Sequence, residues 1–312
     1  MMNKNISIIG LGGVGGYFGF KINQANQKSL QHHISFIARG KTYEIIKEKG
    51  LTLLSQEHVV KTTKPDILLQ NITEITSPDL ILICVKEYDL EQVCKQLKEV
   101  ISENTILLPM MNGADIYDRI RKIIPNNTIL PSCVYVASHI KEKGIVEHLG
   151  KTGKLFLGRD PKYPSHDIDW VINLITETRI DFNFKDNTLI DIWTKFIFIA
   201  SFGLVTAKHN SSIGLVCSDQ SQKKEAIAIM KEIQLLALKK DILLDQNIIL
   251  NTFEKAASFP AQTPTSLQLD INSKKEHNEL ELFAGAIINY GSELNIKTPC
   301  TQKIYEEIKL NY

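Results

Sequence analysis

The hydrophobic positions of the chain first form a short unbroken run, Asn5-Ile6-Ser7-Ile8-Ile9. A brief run rich in β-branched residues, with no alternation of apolar and polar positions, predicts a strand covered on both faces. Similar runs return at Ile34-Ser35-Phe36-Ile37-Ala38, at residues 80–85 and at residues 106–111. Between them the spacing changes to three and four, which predicts helices over residues 16–25, 42–49 and 89–100. In the last of these Leu90, Val93, Leu97 and Val100 share one face. Residues 51–54 and 58–60 predict short strands or a hairpin. This alternation of buried strand and amphipathic helix predicts a parallel sheet with crossover helices. Further strands at 129–136, 146–148 and 154–158 are expected to finish that sheet in antiparallel fashion. A helix over 163–178 and an edge strand over 180–184 come next.

Past Lys185 strand patterns stop. Helices are predicted over 191–207, 225–240, 246–257 and 276–294, with Pro260 and Pro264 marking a loop between the last two. The expected fold class is therefore α/β: a Rossmann-type dinucleotide-binding domain over residues 1–185, then an all-helical substrate and catalytic domain over 186–312. A length of 312 residues suits two such domains.

The candidate chemistry sits where the pattern places turns. Gly10-Leu11-Gly12-Gly13-Val14-Gly15 is a G-x-G-x-x-G run between the first strand and the first helix. Gly10 permits the tight turn, Gly12 lets a pyrophosphate approach the backbone, and Gly15 lets helix and strand pack closely. The anion would rest on N–H groups at the positive end of the helix. The second strand ends in Arg39-Gly40-Lys41, where NAD-preferring folds place a carboxylate. A guanidinium there can stack on adenine and pair with a 2′-phosphate, so NADPH is the expected cofactor. Lys86 and Asn112 come after the two later buried strands, at the ends where cofactors bind in such sheets. Surface lysine and an Asn-Gly turn are the bland alternatives for them. Lys195 is the one charge within an apolar helix: it either snorkels its amine to water or sits partly desolvated in a site, where a lowered pKa would suit proton transfer.

Composition narrows the partners. Lys plus Arg (36) against Asp plus Glu (35) leaves +1, so no bulk field favours nucleic acid or an anionic membrane. The five cysteines, Cys84, Cys94, Cys133, Cys217 and Cys300, are odd in number and lack metal-ligand spacing, so reduced thiols and no metal are expected. No cleavable leader is expected before the first strand, and the apolar stretch from Phe196 to Ala207 is too short to cross a bilayer. A soluble cytoplasmic protein acting on a small molecule is the expectation. The oligomeric state is left open, a homodimer included.

These residues resemble the ketopantoate reductases (2-dehydropantoate 2-reductases), over essentially the whole chain. The resemblance is carried by the Gly-Leu-Gly-Gly-Val-Gly loop, Arg39, Val85-Lys86, Asn112-Gly113, Leu189-Ile190-Asp191-Ile192-Trp193-Thr194-Lys195, Thr265-Ser266-Leu267-Gln268-Leu269-Asp270 and Asn278-Glu279-Leu280-Glu281-Leu282-Phe283-Ala284-Gly285. It implies that NADPH reduces the C2 ketone of ketopantoate, giving (R)-pantoate for pantothenate and coenzyme A synthesis. Lys195 would be the general acid, with Glu279 assisting it and touching substrate or cofactor. Ser266 and Asn112 would bind the substrate, and Lys86 would lie on the cofactor side. The family usually carries asparagines four and eight residues after the lysine; here those positions are Ile199 and Gly203. His209 or Asn210 is the candidate to compensate, and the spacing from Asp270 to Glu279 is one residue longer. Another branched 2-oxo acid is therefore an alternative substrate. A binder or sensor without turnover would need neither Lys195 nor Glu279.

Overall fold

The computed structural model describes residues 3–29 and 32–311. It divides into two compact units, one of Met1–Asn112 with Ile116–Thr188 and one of Gly113–Asp115 with Leu189–Tyr312.

The first unit begins with β1 (Asn5–Ile9), α1 (Gly13–Ser29), β2 (His33–Ile37), α2 (Gly40–Lys49), β3 (Leu51–Ser55), β4 (His58–Thr63), β5 (Ile67–Leu69), β6 (Leu80–Ile83), α3 (Glu87–Leu97), β7 (Ile106–Pro109), α4 (Ile116–Ile123) and β8 (Thr128–Ile129). Six of these strands form one sheet in the order β5-β2-β1-β6-β7-β8, with every pair parallel. Its central strands bury both faces: Ile6, Ile8, Ile81, Leu82, Leu107 and Leu108 are inaccessible to solvent. That explains why they read as unbroken apolar runs. Chain order reverses between β1 and β6, which is where such a sheet opens a crevice at its carboxyl edge.

The remaining strands correct the expectation that they extend this sheet. After β9 (Ser132–Tyr135), β10 (Ser138–Glu142), β11 (Ile145–His148) and β12 (Lys154–Gly158) come α5 (Asp169–Glu177) and β13 (Asp181–Lys185). They build two further sheets, β10-β11-β3-β4 and β13-β12-β9. The parallel sheet stops just past the two-residue β8: Leu130 still donates to the Leu107 carbonyl at 2.9 Å, but Pro131 follows it, and proline cannot donate to a ladder. Its carbonyl instead accepts from the Gly158 amide at 2.9 Å. In the three-stranded sheet β12 is antiparallel to β9 but parallel to β13. The helix expected from residue 163 starts only at Asp169. Buried Asp160 holds the preceding turn, accepting from Lys162 N (2.9 Å), Ile129 N (2.7 Å), Tyr117 Oη (2.6 Å) and Arg121 Nη2 (2.5 Å).

Helix α1 packs against the four-stranded sheet as well as the parallel one, and residues 15–20 are buried without a break. A knot of side chains at its far side fixes it there. The Tyr17 hydroxyl donates to Glu57 Oε1 at 3.0 Å and accepts from Gly153 N at 3.0 Å. Lys21 pairs with the other Glu57 oxygen, and His148 Nδ1 lies 3.5 Å from the first. Burial works to raise the Glu57 pKa, but the Lys21 hydrogen bond and charge, the Tyr17 hydroxyl and His148 together hold it below the usual carboxylate value. Burial, aided by Glu57, raises that of Tyr17.

The second unit contains α6 (Leu189–His209), α7 (Ile213–Ser218), α8 (Gln220–Lys239), α9 (Ile248–Ala257), α10 (Ser266–Asn272), a π-helical turn Glu281–Gly285, α11 (Ala286–Leu294) and α12 (Pro299–Asn311). Helix α6 is its axis, packed by α7, α8, α9, α10, α12 and the π turn. At 21 residues it is long and apolar enough to cross a membrane, unlike the shorter stretch read from sequence. Burial among these helices accounts for the same composition. The helix expected from residue 276 begins at Leu280, because Asn278 Oδ1 accepts from the Leu280 amide at 2.9 Å and caps it there.

Candidate functional site

At the end of β1 each glycine answers to a different neighbour. Gly10 has φ +88°, in the left-handed region, and a Cβ there would come within 2.7 Å of the Cys84 carbonyl oxygen at the end of β6. A Cβ on Gly15 would lie 2.0 Å from the Gly10 carbonyl oxygen, and one on Gly13 would lie 2.3 Å from that of Ser138. Gly12 differs, since a Cβ there would meet nothing within 4 Å. The first bond of α1 runs from Gly16 N to Gly12 O at 2.8 Å, so the first-turn amides lie outside the helical ladder. Leu11 is buried and Val14 half-buried beside them. Open room at Gly12, against donors at a helix N-terminus, could hold a dinucleotide pyrophosphate.

The other residues read from the first half all lie at carboxyl ends of parallel strands. Lys86 is exposed and immediately precedes α3, three residues past β6. Asn112 is half-buried three residues past β7, and Gly113 after it has φ +119°. Arg39 is exposed between β2 and α2, with its Nη2 atom 3.5 Å from Asp89 Oδ2 in the first turn of α3. A carboxylate therefore lies beside Arg39, on α3 and not at the tip of β2. Sequence reading missed Asp89, whose only signal is an acid in the first turn of the helix after β6.

In the second unit Lys195 is half-buried on the second turn of α6. Trp193 anchors that turn, stacked on Tyr290 with ring centroids 5.7 Å apart. Glu279 is buried, 4% exposed, just ahead of the helix whose π turn packs on α6. Turns of this kind recur at functional sites. Ser266 is exposed at the first residue of α10, after the cap Thr265. Asp270, four residues on, is buried and paired with Lys275.

Both residues expected to replace the missing amides are exposed and bonded within the helical unit. His209 Nε2 bonds Glu225 at 2.7 Å. The Asn210 side-chain carbonyl accepts from Gln268 (3.2 Å) and Asn272 (2.6 Å). Gly203 itself is buried, and a Cβ there would touch the Phe283 ring at 3.6 Å and Leu267 at 3.9 Å. Lys195 is thus a half-buried ammonium on α6 and Glu279 a buried carboxylate at the start of a later helix that packs on α6 through its π turn.

Comparison with known proteins decides the lineage. The family model described as "Ketopantoate reductase PanE/ApbA" matches residues 6–162, and "Ketopantoate reductase PanE/ApbA C terminal" matches 187–311. The chain belongs to the ketopantoate reductase family. A 2-dehydropantoate 2-reductase from Streptococcus pyogenes serotype M3 is 25% identical over 308 residues, covering 96% of this chain and 95% of that one. Among solved structures, 2-dehydropantoate 2-reductase from Porphyromonas gingivalis W83 superposes with TM-score 0.83 at 23% identity, covering 99% and 100% of the two chains. D-mandelate dehydrogenase, solved with NADH and anilino(oxo)acetate, has the same TM-score at 20% identity, covering 98% and 97%. The family member described here therefore shares its fold with proteins named for two different substrates.

Proposed function

We propose that this family member is an NADPH-dependent oxidoreductase that reduces the ketone of a 2-oxo acid, with residues 1–185 binding the dinucleotide and 186–312 carrying the acid–base chemistry. The observation that carries the reading is Lys195: a half-buried ammonium, the one charge between Ile192 and Ala207 of α6, in a chain matched over residues 6–162 and 187–311 by the ketopantoate reductase models.

Gly10 to Gly15 would cradle the pyrophosphate on the α1 amides, Arg39 would face the 2′-phosphate, and Lys86 and Asn112 would complete the cofactor side. When bound, NADPH supplies the hydride delivered to substrate C2. The Lys195 ammonium stabilises the negative charge that develops on the ketone oxygen and gives that oxygen its proton. Glu279 would assist Lys195 and contact substrate or cofactor. Ser266 and Asn112 would bind the substrate.

Ketopantoate, giving (R)-pantoate for pantothenate and coenzyme A synthesis, is the substrate that the named relatives support. A branched 2-oxo acid is a second reading, favoured by Ile199 and Gly203 on the helix face beyond Lys195. Following NADPH oxidation with ketopantoate beside a panel of 2-oxo acids tests both. Turnover of at least one acid by the unmodified protein and its loss in Lys195→Ala are expected. A protein that binds NADPH but oxidises it with none of them would sink the proposal.

A further inference from the structure

We infer that Lys255, in the last turn of α9, binds the carboxylate of the 2-oxo acid whose ketone meets Lys195. The inference rests on the function proposed above and adds a substrate contact to it.

Between residues 191 and 207 of α6, Asp191, Thr194, Lys195, Phe198 and Ile199 are half-buried and all the others are buried. Steps of three and four place these five on one stripe of the helix. The stripe keeps access to solvent, carries Lys195 in its middle, and closes after Ile199, because Phe202 and Gly203 on the next turn are buried. A substrate touching the Lys195 ammonium lies along this stripe, where Phe198 is the neighbour one turn on, with its Cβ about 5–6 Å away.

A second cation stands at the closed end. The Lys255 ammonium, on a half-buried side chain, is 5.1 Å from the centre of the Phe198 ring. Phe259 stacks on Phe198, with ring centroids 5.7 Å apart and planes 16° from parallel. It opens the loop that runs from α9 to Thr265, whose hydroxyl lies 2.7 Å from that of Thr206 on α6. Both ends of that loop are therefore held against α6, with Lys255 ahead of it and Ser266 just after it. Phe198 joins the two ammoniums: it neighbours Lys195 along the helix and Lys255 across from it.

The carboxylate of a 2-oxo acid is one carbon–carbon bond from its ketone. With the ketone oxygen at Lys195, the carboxylate falls beside Phe198 and Ile199, where neither side chain offers a donor. A carboxylate desolvated against such a surface needs a charged partner, and an ammonium provides the stronger, charge-assisted kind of hydrogen bond. Lys255 thus does for the carboxylate what an amide at position 199 would do more weakly. A basic residue in a last helical turn also suits the helix dipole, so a substrate contact has to be told apart from a stabilising one.

The test is steady-state kinetics with NADPH and the 2-oxo acid that the unmodified protein reduces best, beside NADPH titration and thermal melting. In Lys255→Met and Lys255→Gln, kcat/KM should fall by about 10- to 100-fold, carried mostly by a higher KM. The NADPH Kd and the melting temperature should stay close to those of the parent. Lys255→Arg keeps the charge and should stay within about fivefold of the parent. A KM within about twofold of the parent in either uncharged variant would overturn the inference, whether or not melting changes. So would a loss in Lys255→Arg as large as in Lys255→Met, or a loss of NADPH affinity in place of the rise in KM. An unmodified protein that oxidises NADPH with no 2-oxo acid would overturn the reductase reading itself, before any variant is compared.

Discussion

Replacing Gly12 by alanine separates binding from folding. A Cβ at Gly12 has no atom within 4 Å, and its φ is not among the positive values of the chain. Nothing in the protein therefore opposes the methyl. Restricting the unfolded chain adds about 0.4–1 kcal/mol of stability where the native backbone accepts alanine. Melting should rise by a few degrees or stay level, since 1 kcal/mol is worth about 2–4 °C in a unit of this size. The same methyl stands where a pyrophosphate would close on the backbone. Losing even one charge-assisted hydrogen bond to it costs about 1.5–3 kcal/mol, or roughly 10- to 150-fold in affinity.

Gly15→Ala supplies the opposite case. Its Cβ would fall 2.0 Å from the Gly10 carbonyl oxygen and 2.7 Å from Cys84 Cβ, so backbone must move and β1, α1 and β6 must separate. Overpacking of this kind costs about 1–3 kcal/mol or more. Melting by circular dichroism and NADPH affinity by fluorescence titration read the two effects separately. Gly12→Ala should keep its melting temperature and lose NADPH, while Gly15→Ala should lose both. Normal NADPH affinity in Gly12→Ala would refute the assignment of this loop to the pyrophosphate.

Three further outcomes rest on particular contacts. Lys195→Ala should lower kcat/KM by about 10²–10⁴-fold while the NADPH Kd stays within a few-fold, and Glu279→Ala should do similar, non-additive harm; steady-state kinetics beside titration reads both. Asp89→Asn removes the carboxylate 3.5 Å from Arg39, so the preference for NADPH over NADH should grow by up to about fivefold, as an exposed pair warrants; Arg39→Ala should erase much of the preference. Glu57→Gln should lower stability at neutral pH by about 1.5–3 kcal/mol. Because the folded pKa of Glu57 lies below its ordinary 4.5, its contribution is present above that value and lost as pH falls through the folded one, so the melting curves of variant and parent should converge in acid.

The parallel core was legible because β1, β2, β6 and β7 are buried on both faces, which leaves a run that no surface element shares. The strand pairing beyond Pro131 was not legible. Strand β11 pairs in parallel with β3, matching Ile145 to Thr52 across more than ninety residues of chain, and nothing local in either strand names the other. β10 is mostly exposed along its length, so its pattern fits an edge of any sheet. Helix ends went wrong for a similar reason. Asp160 ties down the turn that precedes α5, Asp167 Oδ1 accepts from the Asp169 amide where α5 starts, and Asn278 Oδ1 accepts from the Leu280 amide; single side chains of this kind leave almost no trace in periodicity.

The candidate site divides along the same line. The need for glycine at Gly10 and Gly15 was legible from spacing, because Gly10 takes a positive φ in the strand-to-helix turn and a Cβ on Gly15 would meet the Gly10 carbonyl five residues back; Gly12 has open room instead. Arg39 was legible at the end of β2, but the carboxylate 3.5 Å from it belongs to α3, and no pattern in β2 alone announces that pair. In the helical unit the reading of Ile199 and Gly203 as lost amides described what was absent. It could not say what stands there instead. Phe283 comes from a turn eighty residues later, and its ring lies 3.6 Å from where a Gly203 Cβ would stand. The glycine is a buried packing position, closed by a partner that no local pattern in α6 announces, because core contacts between distant elements leave no trace in the periodicity of either one.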